Sequence, residues 1–266
     1  MKLVDKYGPW AVITGASEGT GAAFAHRVAS EGINCILIAR REAPLQALAE
    51  EVRKKGVEVV TAVVDLAALD ATTRIVAAVN NREVGLLITN AGADTNCSQF
   101  LNTEVGNWDQ LINLNVVTTM RNCHHFGRAM RERKRGGIIL VGSGACYGGL
   151  YGISVYSGVK AFDLCFGEGL WAELRHDNVD VLNLILGRTD TPAHRRIIEA
   201  SGQPVPQGMA QPEHVAEVGL TRLAHGPTYN WGQEDDVVGY APNSPAQRRA
   251  RIIAIEEMST SYASKK

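Results

Sequence analysis

The sequence predicts an α/β fold in which helices cover both faces of one doubly wound parallel sheet. Between residues 10 and 186, apolar runs rich in Val, Ile and Leu alternate with helical patterns. The apolar runs are nearly continuous, as expected of strands that are covered on both faces. Strands that alternate with helices are joined by right-handed crossovers, which produce a parallel sheet.

The predicted elements follow one another without a repeat, a low-complexity tract or a linker before residue 188. The predicted strands are 10–14, 34–39, 57–64, 85–89, 137–141 and 179–186. The predicted helices are 22–30, 42–55, 69–81, 104–133, 155–176, 193–200 and 212–225, and one that begins with Ser244, Pro245 and Gln247. We expect one domain over 1–266, with 188–211 as a lid on the substrate side and 226–266 as a variable C-terminal extension.

Composition excludes several classes of protein. Lys and Arg number 27 against 28 Asp and Glu, so no basic field is available for a nucleic acid backbone or an anionic membrane. No run approaches the roughly 18 apolar residues of a membrane span, and the polar first ten residues do not form a secretory signal. The five cysteines lack CxxC spacing and mostly lie in apolar stretches. We therefore expect a cytoplasmic protein with reduced thiols and no metal site.

A glycine-rich loop follows the first predicted strand directly and leads into a helix. Its candidate binding residues are Gly15, Ser17, Glu18, Gly19, Thr20 and Gly21. Free backbone N–H groups and the helix dipole at such a turn favour a pyrophosphate, and glycines let it approach the backbone. The spacing is GxxxGxG, which differs from the GxGxxG of the common dinucleotide fingerprint.

A second candidate site lies near the middle of the chain. Tyr156 and Lys160 are four residues apart in a predicted helix and therefore share one face. A lysine ammonium close to a phenol favours the phenolate, which makes the pair a plausible acid and base for a carbonyl or alcohol oxygen. Ser143, at the end of the fifth strand, could donate a hydrogen bond to the same oxygen.

Together these motifs resemble the classical short-chain dehydrogenase/reductase family, over about residues 8 to 195, although Thr20 stands where that family usually has isoleucine. The resemblance implies a single-domain Rossmann-type fold and an oxidoreductase that interconverts a secondary alcohol and a ketone with a nicotinamide dinucleotide. It assigns Tyr156 as acid and base, Lys160 to tuning and ribose binding, Ser143 to stabilising the oxygen, and Asn115 to a proton relay.

The resemblance also assigns further positions that contact the cofactor. These are Asp65 and Leu66 after the third strand, Asn90, Ala91 and Gly92 after the fourth, and Thr189 and Thr191 beside the nicotinamide. Two residues depart from the family pattern: Thr89 replaces its usual first asparagine, and Leu186 replaces its usual proline before Gly187.

The tip of the second strand indicates which dinucleotide is used. NAD enzymes of this fold place an acidic residue there to bind the ribose 2′-hydroxyl. Here the tip is Ala39, followed by Arg40 and Arg41, and a guanidinium can bind a 2′-phosphate with two hydrogen bonds. The sequence therefore favours NADP(H) over NAD(H), although Glu18 occupies a site where some NADP-dependent members carry a basic residue.

The substrate and the assembly are less defined by the sequence. Tyr147 and Tyr151, with Ser143 and Tyr156, suggest an apolar and partly aromatic substrate site. Ketosteroids, aryl ketones, simple secondary alcohols and carrier-bound 3-oxoacyl groups all remain open. The helical stretches 104–133 and 155–176 carry more apolar positions than one sheet face needs. In the family the corresponding helices form a dimer interface, so we expect a homodimer or homotetramer.

Two alternatives remain. One is a regulator that binds a dinucleotide without catalysing a reaction. A protein of that kind would be expected to lack Tyr156 or Lys160, and both are present here. The other is a 3-oxoacyl-carrier reductase within the same family. An extended-type epimerase is disfavoured. Those enzymes have TGxxGxxG spacing and a larger C-terminal domain, whereas this chain has neither.

Overall fold

The computed structural model describes residues 2–94, 96, 98–147, 149–150, 152–202, 204–231, 249–250 and 253. In these residues the chain forms a seven-stranded sheet with the order β3-β2-β1-β4-β5-β6-β7, and every neighbouring pair is parallel. The strands are β1 Trp10–Thr14, β2 Asn34–Ala39, β3 Val59–Val63, β4 Val84–Thr89, β5 Gly136–Ser143, β6 Val179–Leu186 and β7 Thr228–Asn230.

Helices cover both faces of this sheet. They are α1 Leu3–Tyr7, α2 Gly19–Ser30, α3 Glu42–Arg53, α4 Ala71–Val79, α5 Val105–Ile112, α6 Thr118–Arg133, α7 Ser154–Leu174, α8 Pro192–Ser201 and α9 Pro212–Arg222. Apolar residues of α2, α3 and α9 pack on one face, and those of α4, α6 and α7 pack on the other. The predicted doubly wound α/β fold is therefore confirmed.

Successive residues of each inner strand enter opposite halves of the core. Ile13 and Ile88 belong to the half under α2 and α9, whereas Val12 and Leu87 belong to the half under α4 and α6. All four side chains are fully buried. This alternation explains why the strands are apolar on both faces, since neither face meets water.

Three elements differ from the prediction. The helix predicted over 104–133 is two helices, α5 and α6, joined by a π-helical turn at Asn113–Val117. The short strand β7 lies in the segment expected to be a loop and pairs with β6. The five-residue helix α1 was not predicted, and its Tyr7 hydroxyl donates a 2.6 Å hydrogen bond to Asp180 at the start of β6.

Other boundaries shift by a few residues. Helix α2 begins at Gly19, three residues earlier than predicted, so the glycine loop itself supplies the first helical turn. Strand β5 extends to Ser143. Most of the helix predicted from Ser244 lies outside the described residues, as does Tyr151.

Candidate active site

The glycine loop lies at the carboxyl end of β1 and is tied to the end of β4. The Asn90 side-chain amide donates hydrogen bonds to the carbonyl oxygens of Thr14 (3.1 Å) and Gly15 (3.2 Å). In the other direction, Thr14 Oγ1 accepts from the backbone N–H groups of Asn90 (3.0 Å) and Ala91 (3.3 Å). Asn90 and Ala91 therefore hold the shape of the loop, whatever else they contact.

Two glycines of this loop cannot carry a side chain. Gly15 has φ +65°, and a Cβ there would lie 3.0 Å from both Ala91 and the Asn90 amide. A Cβ on Gly21 would collide with the carbonyl oxygen of Gly15. The backbone is thus open where α2 presents its first N–H groups, and this cradle fits a pyrophosphate. Ser17 and Glu18 line the loop half-buried, and Thr20 is buried in the first turn of α2.

Asn115 occupies the π-helical turn between α5 and α6. It is 1% exposed, and its Nδ2 donates a 3.0 Å hydrogen bond to the carbonyl oxygen of Leu111. Its Oδ1 is buried and has no hydrogen-bond partner within the described part of the chain. A Cβ on Gly92 would lie 2.5 Å from this oxygen and 2.8 Å from Lys160 Nζ, so the three residues meet at one point.

Tyr156 and Lys160 lie on α7, as the spacing predicts. Lys160 Nζ is 5.9 Å from the centroid of the Tyr156 ring. Lys160 is 3% exposed, and its ammonium donates to the carbonyl oxygen of Val141 in β5 (3.2 Å) and to Asp163 Oδ2 (3.0 Å). Burial opposes the charged form, but the Asp163 carboxylate and then the Tyr156 oxygen outweigh it, so the pKa of Lys160 is raised.

Ser143 is the last residue of β5, two residues beyond the carbonyl that holds Lys160. Its Oγ accepts a 3.3 Å hydrogen bond from the backbone N–H of Ala145, which leaves the hydroxyl hydrogen free to donate elsewhere. The structure therefore places Asn115, Ser143, Tyr156 and Lys160 around the carboxyl ends of β4 and β5.

A cluster of charges surrounds the outer side of the glycine loop. Glu18 forms an ion pair with Arg41 (2.7 Å) and a second one with Arg196 of α8. Burial raises the pKa of Glu18, but the hydrogen bonds from Arg196 and Arg41 outweigh it, so this pKa is lowered. Arg40 is exposed and makes no hydrogen bond or ion pair with any described residue. Glu18 is thus neutralised, whereas Arg40 is available.

The remaining predicted cofactor residues lie near this same edge. Asp65 accepts a 3.0 Å hydrogen bond from the Ala67 N–H, and the carbonyl of the buried Leu66 accepts from Thr118 (2.8 Å). Thr191 caps α8 by accepting from the His194 N–H at 3.1 Å.

The segment that carries these threonines approaches the loop closely. A Cβ on Gly19 would lie 3.0 Å from the Thr191 side chain. Thr189 is buried and pairs with Ala210 in an isolated bridge.

On the substrate side, the Tyr147 hydroxyl donates to Asn230 Oδ1 at the end of β7. Residues 194–196 form a basic run, which could contact an acidic group of a substrate. Arg195 instead pairs with Asp190, and the His194 ring contacts the Thr189 carbonyl oxygen at 3.0 Å. Since Arg196 pairs with Glu18, all three side chains are engaged within the chain.

Four apolar side chains of α7, within the stretch 155–176 that is expected to form an interface, pack within the chain. Leu164 is buried against Cys146 and Ile185. Phe166, Leu170 and Trp171 are partly buried against the core under α4 and α6. These four side chains do not define an interface by themselves, so the homo-oligomer stays a prediction.

Sequence reasoning missed two residues of this site. Asp163 stands three residues after Lys160, and a carboxylate at that spacing in an otherwise apolar run was a signal for a buried ion pair. Arg196 reaches Glu18 across 178 positions of sequence, and no local pattern reports such a contact.

Two kinds of feature are absent from the described residues. No helix there is long and apolar enough to cross a membrane. No group of three or more His, Cys, Asp or Glu side chains in that part of the chain is arranged to hold a metal ion.

Comparison with known proteins identifies the class to which this chain belongs. The profile of the short chain dehydrogenase family matches residues 9–202. A 7β-hydroxysteroid dehydrogenase of Mediterraneibacter gnavus is 34% identical over 232 residues, which cover 84% of this chain and 86% of that protein. The chain belongs to the short-chain dehydrogenase family, an oxidoreductase family that includes NADPH-bound members.

Solved structures agree with this assignment. One from a study of 7β-hydroxysteroid dehydrogenase stereoselectivity has a TM-score of 0.83 and 28% identity, and covers 95% of this chain and 99% of that chain. A short-chain dehydrogenase from Sphingobium yanoikuyae in complex with NADPH has a TM-score of 0.77 and 25% identity, with 97% and 96% of the two chains covered.

The contact at Gly92 yields a test of the site. Gly92→Ala places a methyl group against Asn115 and Lys160, and overpacking of this kind costs about 1–3 kcal/mol. We expect the free energy of unfolding to fall by about this amount, as measured by urea denaturation. Gly106→Ala, where a Cβ meets nothing within 4 Å, is the matched control and should not be destabilised. Equal loss of stability in the two variants would contradict the described packing.

Proposed function

We propose that this protein is an NADP(H)-dependent oxidoreductase that interconverts a secondary alcohol and a ketone on a bulky apolar substrate of the hydroxysteroid class. The observation that carries the proposal is Tyr156 beside the buried ammonium of Lys160, close to the glycine cradle. The similarity to 7β-hydroxysteroid dehydrogenases supports the substrate class.

Four residues would perform the proton chemistry. Tyr156 gives its phenolic proton to the oxygen of a ketone, or takes the proton of an alcohol in the reverse direction. The Lys160 ammonium stabilises the phenolate that results, because a positive charge nearby favours the ionised phenol. Ser143 donates its free hydroxyl hydrogen to the same substrate oxygen. Asn115, beside Lys160, would hold a water that relays protons from solvent.

The cofactor would be held along the edge of the sheet. The backbone of Gly15, Gly19 and Gly21 would hold the pyrophosphate, and Lys160 the hydroxyls of the nicotinamide ribose. Asp65 and Leu66 would contact the adenine, Asn90–Gly92 its ribose, and Thr189 and Thr191 the nicotinamide. When bound, the nicotinamide supplies the hydride to the carbonyl carbon or accepts it from the carbinol carbon.

Charge at the outer end of the site supports NADP(H). Arg40, Arg41 and Arg196 provide three guanidinium groups, and two of them, Arg41 and Arg196, pair with the carboxylate of Glu18. Glu18 would repel a 2′-phosphate only weakly, because Arg41 and Arg196 already pair with its carboxylate. Arg40 has no partner of its own among the described residues and can bind the phosphate. The NADPH-bound relative from Sphingobium yanoikuyae supports the same choice.

Apolar surface beside the site supports a bulky substrate. Leu150, just before α7, is 49% exposed, and Ile197 of α8 is 41% exposed. Because α8 approaches the glycine loop through Arg196, the segment 188–211 can act as a lid over the bound molecules. Tyr147 and Tyr151 would complete an apolar wall. A 3-oxoacyl-carrier substrate is the second candidate, since its acyl chain suits the same surface.

We also propose a homodimer or homotetramer in the cytoplasm. Gly158, Cys165 and Gly169 are exposed along one side of α7, which would allow a second helix to approach closely. The four free thiols among the described residues are compatible with a reducing compartment.

Light scattering that gave 28.7 kDa, the mass of one chain, across micromolar concentrations would contradict the oligomer.

Removal of one oxygen tests the catalytic role of Tyr156. Tyr156→Phe keeps the ring but removes the proton that is transferred, so kcat should fall by roughly 10²- to 10⁴-fold. The affinity for NADP(H) should change little. Lys160→Met should instead lower both kcat and the affinity for NADP(H). A Phe variant that kept more than about a tenth of wild-type turnover on a verified substrate would exclude Tyr156 as the acid and base.

Removal of one guanidinium tests the choice of cofactor. A hydrogen bond to a charged group contributes about 1.5–3 kcal/mol, so Arg40→Ala should weaken NADP(H) binding by roughly 10- to 150-fold. The affinity for NAD(H) should barely change. Arg53→Ala, on the surface of α3, is the control and should leave both affinities intact. A wild-type protein whose kcat/KM is higher with NAD(H) would overturn the assignment.

A further inference from the structure

We infer that Asp163 is a positioning residue for Lys160: its buried carboxylate fixes the ammonium in place and keeps it protonated. This role concerns the same site and rests on the function proposed above.

The geometry of the pair is that of a fixed ion pair. Lys160 Nζ and Asp163 Oδ2 are 3.0 Å apart, and the side chains are 4% and 6% exposed. The two residues are three positions apart on α7, so the helix itself holds their relative positions. The carbonyl oxygen of Val141 in β5 accepts a further hydrogen bond from the same ammonium at 3.2 Å.

The ammonium of Lys160 has few hydrogen-bond donors, and most of them are already used inside the protein. A lysine ammonium has three N–H groups and no acceptor. Val141 and Asp163 take two of them, both from the interior of the protein. One N–H is left for Tyr156 or for the ribose hydroxyls of the cofactor. Asp163 thereby limits the rotation of the ammonium and directs its remaining hydrogen toward the reacting groups.

The Asp163 carboxylate also keeps Lys160 in its charged form. A buried lysine without a counterion readily loses its proton, and buried lysines can titrate several units below their usual pKa. Burial lowers the pKa of Lys160, but the Asp163 carboxylate more than offsets this effect. For Asp163, burial raises the pKa of the carboxyl above its usual value, although the ammonium of Lys160 acts in the opposite direction.

The groups that face this pair from other elements do not replace Asp163. Cys146, after β5, faces Lys160, and Cys123 of α6 faces Asp163. Burial, followed by the Asp163 carboxylate, raises the pKa of Cys123, so this thiol stays neutral. Tyr156 faces Lys160 from the same helix. Within the described residues, Asp163 is therefore the carboxylate that balances the ammonium.

A purely structural ion pair would stabilise the fold without affecting how the affinity for NADP⁺ depends on pH. Asp163→Asn separates the two roles, because the amide keeps the shape and a hydrogen-bond acceptor but removes the charge. Asp180→Asn is the matched control, since Asp180 also pairs with a lysine, Lys6, but lies on β6 away from the site.

The experiment follows the titration of Lys160 and the affinity for NADP⁺ from about pH 6 to about pH 11, the range in which a buried lysine can titrate. The lysine is observed by NMR of ¹³Cε-labelled protein and is assigned with Lys160→Met. In Asp163→Asn we expect Lys160 to titrate at least about one unit lower than in the wild type. The affinity for NADP⁺ should then decline about tenfold per unit above that pH, while Asp180→Asn follows the wild type.

An unchanged titration of Lys160 in a folded Asp163→Asn variant would overturn the inference. If that variant does not fold, the wild type alone decides, because the inference requires Lys160 to keep its proton up to its usual pKa of about 10.4. A wild-type Lys160 that titrated below about pH 9 would refute it. Neither measurement needs a substrate, so a failure to find any ketone that reacts would refute the proposed function and leave this result standing.

Discussion

Because the seven strands of the described residues all run parallel, they end at the same edge of the sheet, and residues far apart in the chain meet there. The loop after β1, Asn90 after β4 and Ser143 at the end of β5 share this edge. Helix α7 adds Tyr156 and Lys160, and the carbonyl of Val141 ties that lysine to the sheet. The glycine cradle and the proposed reacting groups are thus consequences of one topological constraint.

Within that frame, buried charge is balanced residue by residue. Asp163 balances Lys160 in the interior, and Arg41 and Arg196 balance Glu18 at the outer end of the site. Arg40 is the cation near the loop that no described residue engages. A site with this distribution of charge can accept a phosphate on its outer side. In its interior, one N–H group of the Lys160 ammonium stays free to donate a hydrogen bond.

Much of this arrangement could be predicted from sequence, because the signals are local. Long apolar strands, the glycine spacing and the four-residue step from Tyr156 to Lys160 each depend on neighbours in the chain. The sequence also places Ser143 correctly, at the end of β5. Strand β7 has only three residues, too few to show a periodicity, and it forms because β6 offers it an edge.

The features that were missed depend on tertiary contacts. The π-helical turn coincides with the hydrogen bond from Asn115 to Leu111, which a continuous helical pattern conceals. The ion pair of Glu18 and Arg196 joins two segments that only the fold brings together. Asp163 had a local signal, but its meaning required the knowledge that both it and Lys160 are buried.

The central claim is that this edge of the sheet carries out hydride transfer rather than only binding a dinucleotide. The most direct test supplies NADPH deuterated on one face of nicotinamide C4, in turn on each face, together with a panel of bulky ketones that includes 7-oxosteroids. Mass spectrometry then locates the label in the alcohol product. The account predicts one deuterium on the carbinol carbon, delivered from one face of the cofactor. NADPH that binds tightly yet labels no product across the panel, with the cofactor recovered unoxidised, would contradict it.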